Sequence, residues 1–208
     1  MIALSEARDD RSVWGQTNLR IKRLLSMDNP SGQRAALAKL RRGIGQKPGD
    51  DPALWNILFE GIPEEMLSRG GEPTREEWAI HTALTLFALH QQGKDPKQDP
   101  MNVEGRSLGS AAALLVALDG EDSRPRVARR FNQAATAASM QELTHYLREL
   151  VQLLRSKGIG LDYPQLAADL FRYQSSERAP GVRLRWGQDF YRRQNNSTEQ
   201  QGKDDTNE

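Results

Sequence analysis

Thr74-Arg-Glu-Glu-Trp-Ala-Ile-His-Thr-Ala-Leu-Thr-Leu-Phe-Ala-Leu-His-Gln-Gln-Gly93 carries the clearest helical signal in the chain. Thr74 and Glu77 form a capping box, in which a hydroxyl and a carboxylate satisfy each other's orphan backbone N–H groups. Trp78, Leu84, Phe87, Ala88 and Leu89 then recur at helical spacing until Gly93. The pattern predicts one long helix.

Working outward, the same period returns nearly everywhere and alternating runs are rare. Toward the N-terminus, Asp51-Pro52 starts a helix in which Trp55, Leu58 and Phe59 line one face. Before it, a helix over about Gly32–Arg42 turns Ala36, Leu37 and Leu40 inward and ends at Gly43. A first helix over about Ser5–Leu25 carries Val13, Leu24 and Leu25, with Arg20, Lys22 and Arg23 near its C-terminus, where cations suit the dipole. Toward the C-terminus, Gly93–Pro100 is a polar, Pro-containing loop, and Ser107 opens an Ala/Leu helix ending near Gly120. A basic helix follows from Pro125. A second capping box, Ser139 to Glu142, opens a segment to Ser156 with Leu143, Leu147, Leu150 and Leu154 on one seam. Asp162 caps a helix with Leu166, Leu170 and Phe171, and Val182–Arg193 carries Trp186, Phe190 and Tyr191.

This is an all-α reading, a helical bundle protein. A break at Gly93–Gly105 divides it into two small packed helical lobes, residues 1–93 and 105–193, followed by a disordered acidic tail, 194–208. One continuous bundle is the alternative, because the long helix through Trp78 could serve both halves.

Composition removes several function classes. The chain has no Cys, which excludes disulfides and thiolate metal or redox sites and fits a cytoplasmic protein. Its longest apolar run, Ala111–Leu118, is far short of the roughly 18 residues of a membrane span. The N-terminal segment lacks the basic and apolar regions of a secretory signal. His81, His90 and His145 are not paired at zinc-motif spacing; Glu77 with His81 and His145 with Glu149 are read as surface or capping contacts. No phosphate-cradling Gly-rich loop and no nucleophile elbow is present. The expectation is a protein that is not an enzyme, with no cofactor, metal or small-molecule substrate. Trp14, Trp55, Trp78 and Trp186 sit among Leu, Ile or Phe and are read as core.

Charge is the remaining signal. The net is only +1, yet two basic clusters are free of acids in sequence: Arg34, Lys39, Arg41, Arg42 and Lys47, then Arg124, Arg126, Arg129 and Arg130, each read as a helix end. Guanidinium forks match phosphate oxygens bidentately, so the clusters point to a surface that tracks phosphates. Arg183, Arg185, Arg192 and Arg193 make a possible third patch. The segment Pro48–Glu77 is acidic, with a net of −6, and the tail has a net of −3. Basic and acidic faces on one body suggest docking into an assembly.

Several segments together carry a family resemblance: Ala38-Lys-Leu-Arg-Arg-Gly43 with Trp55, Thr82-Ala-Leu84 with Phe87-Ala-Leu-His-Gln91, Ser107-Leu-Gly-Ser-Ala111, Arg129-Arg-Phe131 before Leu147-Arg148, Asp162-Tyr163 with Leu166-Ala-Ala-Asp-Leu170, and Val182-Arg183 with Trp186-Gly187 and Asp189-Phe-Tyr191. In this order the chain resembles the CasB-type small subunit of the type I-E CRISPR surveillance complex, Cascade, over nearly its whole length outside the tail. The resemblance implies an all-helical, two-lobed subunit without catalytic activity, active in antiviral defence. It implies as partners other Cascade subunits, a second copy of the chain, the crRNA, and the target and non-target DNA strands of the R-loop. By matching the family's basic positions it singles out Arg41, Arg42, Arg129 and Arg130 as strand contacts. Arg34, Lys39, Arg106, Arg124 and Arg126 follow by cluster membership. A scaffold that touches only protein is the competing reading. A helix-turn-helix regulator is disfavoured, because no tight turn precedes a helix rich in base-reading residues.

Overall fold

A computed structural model describes the backbone of residues 12–204 and the side chains of residues 12–192. The single helix read from sequence over Ser5–Leu25 is corrected: Ser12 is extended and caps a helix that starts at Val13, while residues 1–11 and the side chains of the acidic tail lie outside the described residues. Among the described residues nine α-helices follow one another: α1 (Val13–Leu25), α2 (Pro30–Arg42), α3 (Trp55–Phe59), α4 (Arg75–His90), α5 (Leu108–Asp119), α6 (Arg124–Ala135), α7 (Met140–Ser156), α8 (Tyr163–Tyr173) and α9 (Ala179–Asp204). The same residues hold no strand, only an isolated bridge between Asn102 and Leu161. The chain is all-α.

The stretch after Thr74 forms α4. Its capping box is complete: the Glu77 N–H donates to Thr74 Oγ1 at 3.1 Å and the Thr74 N–H to Glu77 Oε2 at 2.7 Å. Every residue from Ala79 to Gln91 is buried, so α4 is covered all round, as an axial core helix must be. It packs against α1 and α2 from the N-terminal side of the chain and α7 and α8 from the C-terminal side. Helix α1 also meets α8, and α5 lies along α9. One apolar cluster runs through all of this, from Val13 and Leu40 through Leu84 and Phe87 to Leu150, Trp186 and Phe190.

Local chemistry explains the helix ends. Ser12, Asn29, Ser107, Ser139 and Asp162 each accept a hydrogen bond from a backbone N–H in the first turn they precede. The second capping box closes differently from its sequence reading. Ser139 Oγ accepts from the Glu142 N–H at 3.1 Å, but Glu142 Oε2 reaches back one residue further, to the Ala138 N–H at 2.7 Å. Gly43 follows α2 with φ −77°, an ordinary right-handed value. It is glycine for space: a Cβ there would lie 2.7 Å from Leu54 Cδ1 and 3.2 Å from His81 Nε2.

Candidate nucleic-acid interface

Helix α2 buries only Leu37 and Leu40 against the core, and Arg34, Lys39 and Arg42 stand exposed with Arg41 half-buried. Among the described residues no carboxylate pairs with any of these four. Lys47, the fifth member of the cluster, is taken by Glu72 at 2.8 Å. Small side chains at Ala35 and Ala38 leave a shallow depression of about 500 Å³ bordered by Lys39, Arg41 and Arg42. The helix C-terminus favours cations, which stabilises this arrangement locally. Burial, and then the neighbouring charge of Arg155, pull the Arg41 guanidinium below its usual value.

The second cluster is acid-free in sequence but not in space. It occupies the start of α6, where the dipole disfavours cations, and carboxylates from flanking segments compensate. Arg124 pairs with Glu121 at 2.5 Å, Arg126 with Asp119 at 2.8 Å, and Arg130 with Glu149 at 3.6 Å. Lys157 also binds Asp119, and its hydrogen bond, ahead of the Arg126 contact, holds that carboxyl below the usual range. Arg129 is exposed and makes no ion pair among the described residues. Surface ion pairs of this kind are worth only about 0–1 kcal/mol, so phosphate can compete for the guanidinium groups.

The remaining basic positions are separate. Arg106 is half-buried in the turn before α5, where its carbonyl accepts from the Asp162 N–H at 2.9 Å; it lines neither the α2 depression nor the α6 ion pairs. The third patch is largely structural. Arg185 binds buried Asp169 at 2.5 Å, and Asp169 also accepts from Trp186 Nε1 at 2.7 Å. Arg183 lies over the Tyr173 ring, and Arg192 pairs with Asp189 at 3.6 Å. The Arg193 side chain lies outside the described residues.

Three sequence expectations need correction. Arg20 is not a dipole cation at the helix end but a buried anchor, bonded to the Leu58 and Glu60 carbonyls at 3.0 Å each. Trp55 is not core: α3 is a single turn, the residue is 51% exposed, and its Nε1 donates to the Gly49 carbonyl at 2.8 Å. Of the Glu77–His81 pair, Glu77 makes the expected capping contact, but His81 is buried in the core rather than at the surface.

Sequence reasoning missed Lys94, Arg148 and Arg155. Arg155 lies at the end of α7, near enough for its charge to act on Arg41, and its Nε donates to the Gln92 carbonyl at 3.0 Å. The heptad seam of α7 marks Arg155 as lying beside the core, but only the packing of α4 between α2 and α7 brings it near Arg41.

Among the described residues, no helix is long and apolar enough to cross a membrane and no group of three or more His, Asp or Glu could hold a metal ion. The sequence profile of the family described as CRISPR-associated protein Cse2 matches residues 36–191. Among curated proteins, none matches the chain. CasB from Thermobifida fusca is 31% identical, with a TM-score of 0.69 over 86% of this chain and 97% of that one. A Cse2-family protein from Thermus thermophilus is 25% identical, with a TM-score of 0.61 over 86% of this chain and 97% of that one. A chain of a CRISPR RNA-guided surveillance complex shares the fold, at 24% identity and a TM-score of 0.68, over 91% of this chain and 99% of that one.

Proposed function

Because the chain belongs to the CRISPR-associated Cse2 family, we propose that it is a non-catalytic subunit of an RNA-guided surveillance complex of the Cascade type, binding nucleic-acid backbone through its arginine-rich surfaces. The observation that carries this reading is the outer face of α2. Arg34, Lys39, Arg41 and Arg42 gather there with no carboxylate pairing them among the described residues, on a chain whose net charge is only +1. A surface that holds four cations without neutralising them fits a polyanion supplied from outside. Arg129 extends the same chemistry to α6, with Arg130 available by exchange of its long ion pair with Glu149.

The physical role follows from how such complexes read sequence. Guide–target pairing supplies specificity, and protein contacts to the strand backbones tip a near-balanced strand exchange. A subunit in that position needs phosphate contacts rather than a base code. We assign it the guide RNA and the target and non-target DNA strands as nucleic-acid partners, and as protein partners the other subunits and a second copy of itself. The acidic 48–77 segment, with Asp50, Glu60, Glu64 and Glu65 exposed, suits a basic protein surface.

The test is the binding of a labelled DNA single strand and duplex across a salt series. Wild type is compared with an Arg41→Ala/Arg42→Ala/Arg129→Ala/Arg130→Ala variant whose helical content is verified. Affinity is expected to fall steeply with salt and to drop at least tenfold in the variant. A wild-type protein that binds neither at low salt would replace this reading with a scaffold that touches only protein.

A further inference from the structure

Helix α2 does not face solvent alone. Its inner edge walls a cleft of about 760 Å³, whose opposite wall is the 91–97 loop; Arg34 and Arg41 line one side, Lys94 and Lys97 the other. A second recess, of about 460 Å³, is lined by Gln92, Gly93, Lys94, Gln152, Arg155 and Ser156. The two share Gln92, Gly93 and Lys94, so one loop borders both hollows, one toward α2 and the other toward the end of α7.

We propose that these two adjoining hollows form a phosphate seat for a nucleic-acid strand, with Arg41 lining one, Arg155 the other, and Lys94 on the loop between them. The proposal rests on the strand-binding reading above and deepens it by naming where the backbone is gripped. It brings in residues that belong to neither sequence cluster.

The seat is built rather than incidental. Arg155 is oriented by the bond from its Nε to the Gln92 carbonyl, and its terminal nitrogens have no partner among the described residues. The loop beneath is fixed by Gln91, only 2% exposed. Its Nε2 donates to the Lys94 and Asp99 carbonyls at 3.3 and 3.2 Å, and its Oε1 accepts from the Met101 N–H at 2.9 Å. Lys94 is held by Asp99 at 2.6 Å. Cations positioned in this way lose little freedom when an anion arrives.

The charge balance points the same way. Asp28 and Asp95 are the carboxylates lining the wider cleft, against Arg34, Arg41 and Lys97; Lys94 is already paired with Asp99, and no carboxylate lines the recess beside Arg155. Arg41 and Arg155 repel each other, and an oxyanion seated near both would relieve that repulsion. The field reaches the core beneath: burial first, and then Lys94 and Arg155, hold the His90 imidazole down to about 4. From the seat, Gln152, Arg148 and His145 continue along the exposed face of α7, with Arg148 about 10 Å from Arg155 at 1.5 Å per residue. Glu149 on the same helix meets Arg130 of α6. Helix α7 thus joins the two basic clusters into one track.

Like-charge repulsion gives a signature that a purely structural arginine would not. Arg155→Gln retains a side chain able to donate to Gln92 while removing the charge. It is expected to melt no lower than wild type in the free protein, yet to bind a labelled single strand at least fivefold more weakly. The slope of log affinity against log salt should fall by about 0.7. Arg155→Lys should retain the wild-type slope. Lys94→Gln tests the loop between the hollows independently, and Arg178→Gln, exposed and outside both hollows, controls for net charge. If wild type binds and the Arg41/Arg42/Arg129/Arg130 variant does not, but Arg155→Gln and Lys94→Gln bind like Arg178→Gln, the seat is wrong and the broader reading stands. An Arg155→Lys slope equal to that of Arg155→Gln also overturns it. Failure of wild type to bind at low salt overturns both.

Discussion

Arg20 and Arg41 occupy neighbouring helices with opposite surroundings. Arg20 is 2% exposed and gives its protons to the Gln16 side chain and to three carbonyls, and burial pulls its guanidinium down to about 10. Arg41 is half-buried, bonds to no side chain among the described residues, and faces another arginine. The same contrast separates Arg185, committed to Asp169, from Arg129, committed to nothing described. Residue type alone therefore does not separate structural arginines from uncommitted ones; satisfaction of each guanidinium does. Histidines supply a prediction at this scale. Burial holds His81 and His90 to about 4, below the ordinary imidazole value near 6.5. Between those values the unfolded chain binds more protons than the native one, so stability is complete above about pH 6.5 and falls as pH drops toward 4. Each imidazole contributes at most roughly 3 kcal/mol. Raised pKa values at buried Asp162 and Asp169 act in the opposite direction and offset part of the loss at the acid end. Urea unfolding should therefore give a lower stability at pH 5 than at pH 7; an unchanged value would contradict the buried neutral state of both rings.

At the scale of elements, helix contacts depend on small residues where backbones meet. Gly109 of α5 lies against α9, where an added Cβ would come 2.1 Å from the Trp186 carbonyl oxygen and 2.9 Å from the Phe190 nitrogen. Gly187, one residue beyond Trp186, has nothing within 4 Å of its own Cβ position. Gly109→Ala should thus cost about 3 kcal/mol or more, and Gly187→Ala should gain about 0.5–1 kcal/mol by helix propensity. Thermal unfolding of the two variants checks the pair, and equal effects would contradict the α5–α9 packing. Helix periods, caps and the Leu143–Leu154 seam were legible in sequence because they are local. Gly109 was not, since nothing in a run of Ala and Leu tells which helix crosses it. The role of Asp119, Glu121 and Glu149 in quieting the α6 arginines was hidden for the same reason: three carboxylates outside the cluster return to it only after folding.

On the scale of the whole molecule, α4 carries one apolar cluster through both halves of the chain and packs against both α2 and α7. The all-helical class and the family were readable from pattern and motif order. The two adjoining hollows were not, because Arg41, Lys94 and Arg155 come from three elements whose proximity is a product of packing around α4. The result is a body with unpaired arginines on α2, Arg129 on α6 and an acidic 48–77 segment, which supports the proposed role of holding a strand while docked among other subunits. The most direct measurement is photo-crosslinking of a reactive single strand to the full chain, with the linked peptides mapped. The account predicts crosslinks in the Arg34–Arg42 and Arg148–Arg155 segments that weaken together as salt rises. Crosslinks confined to residues 48–77, or none at low salt on a folded protein, would contradict it.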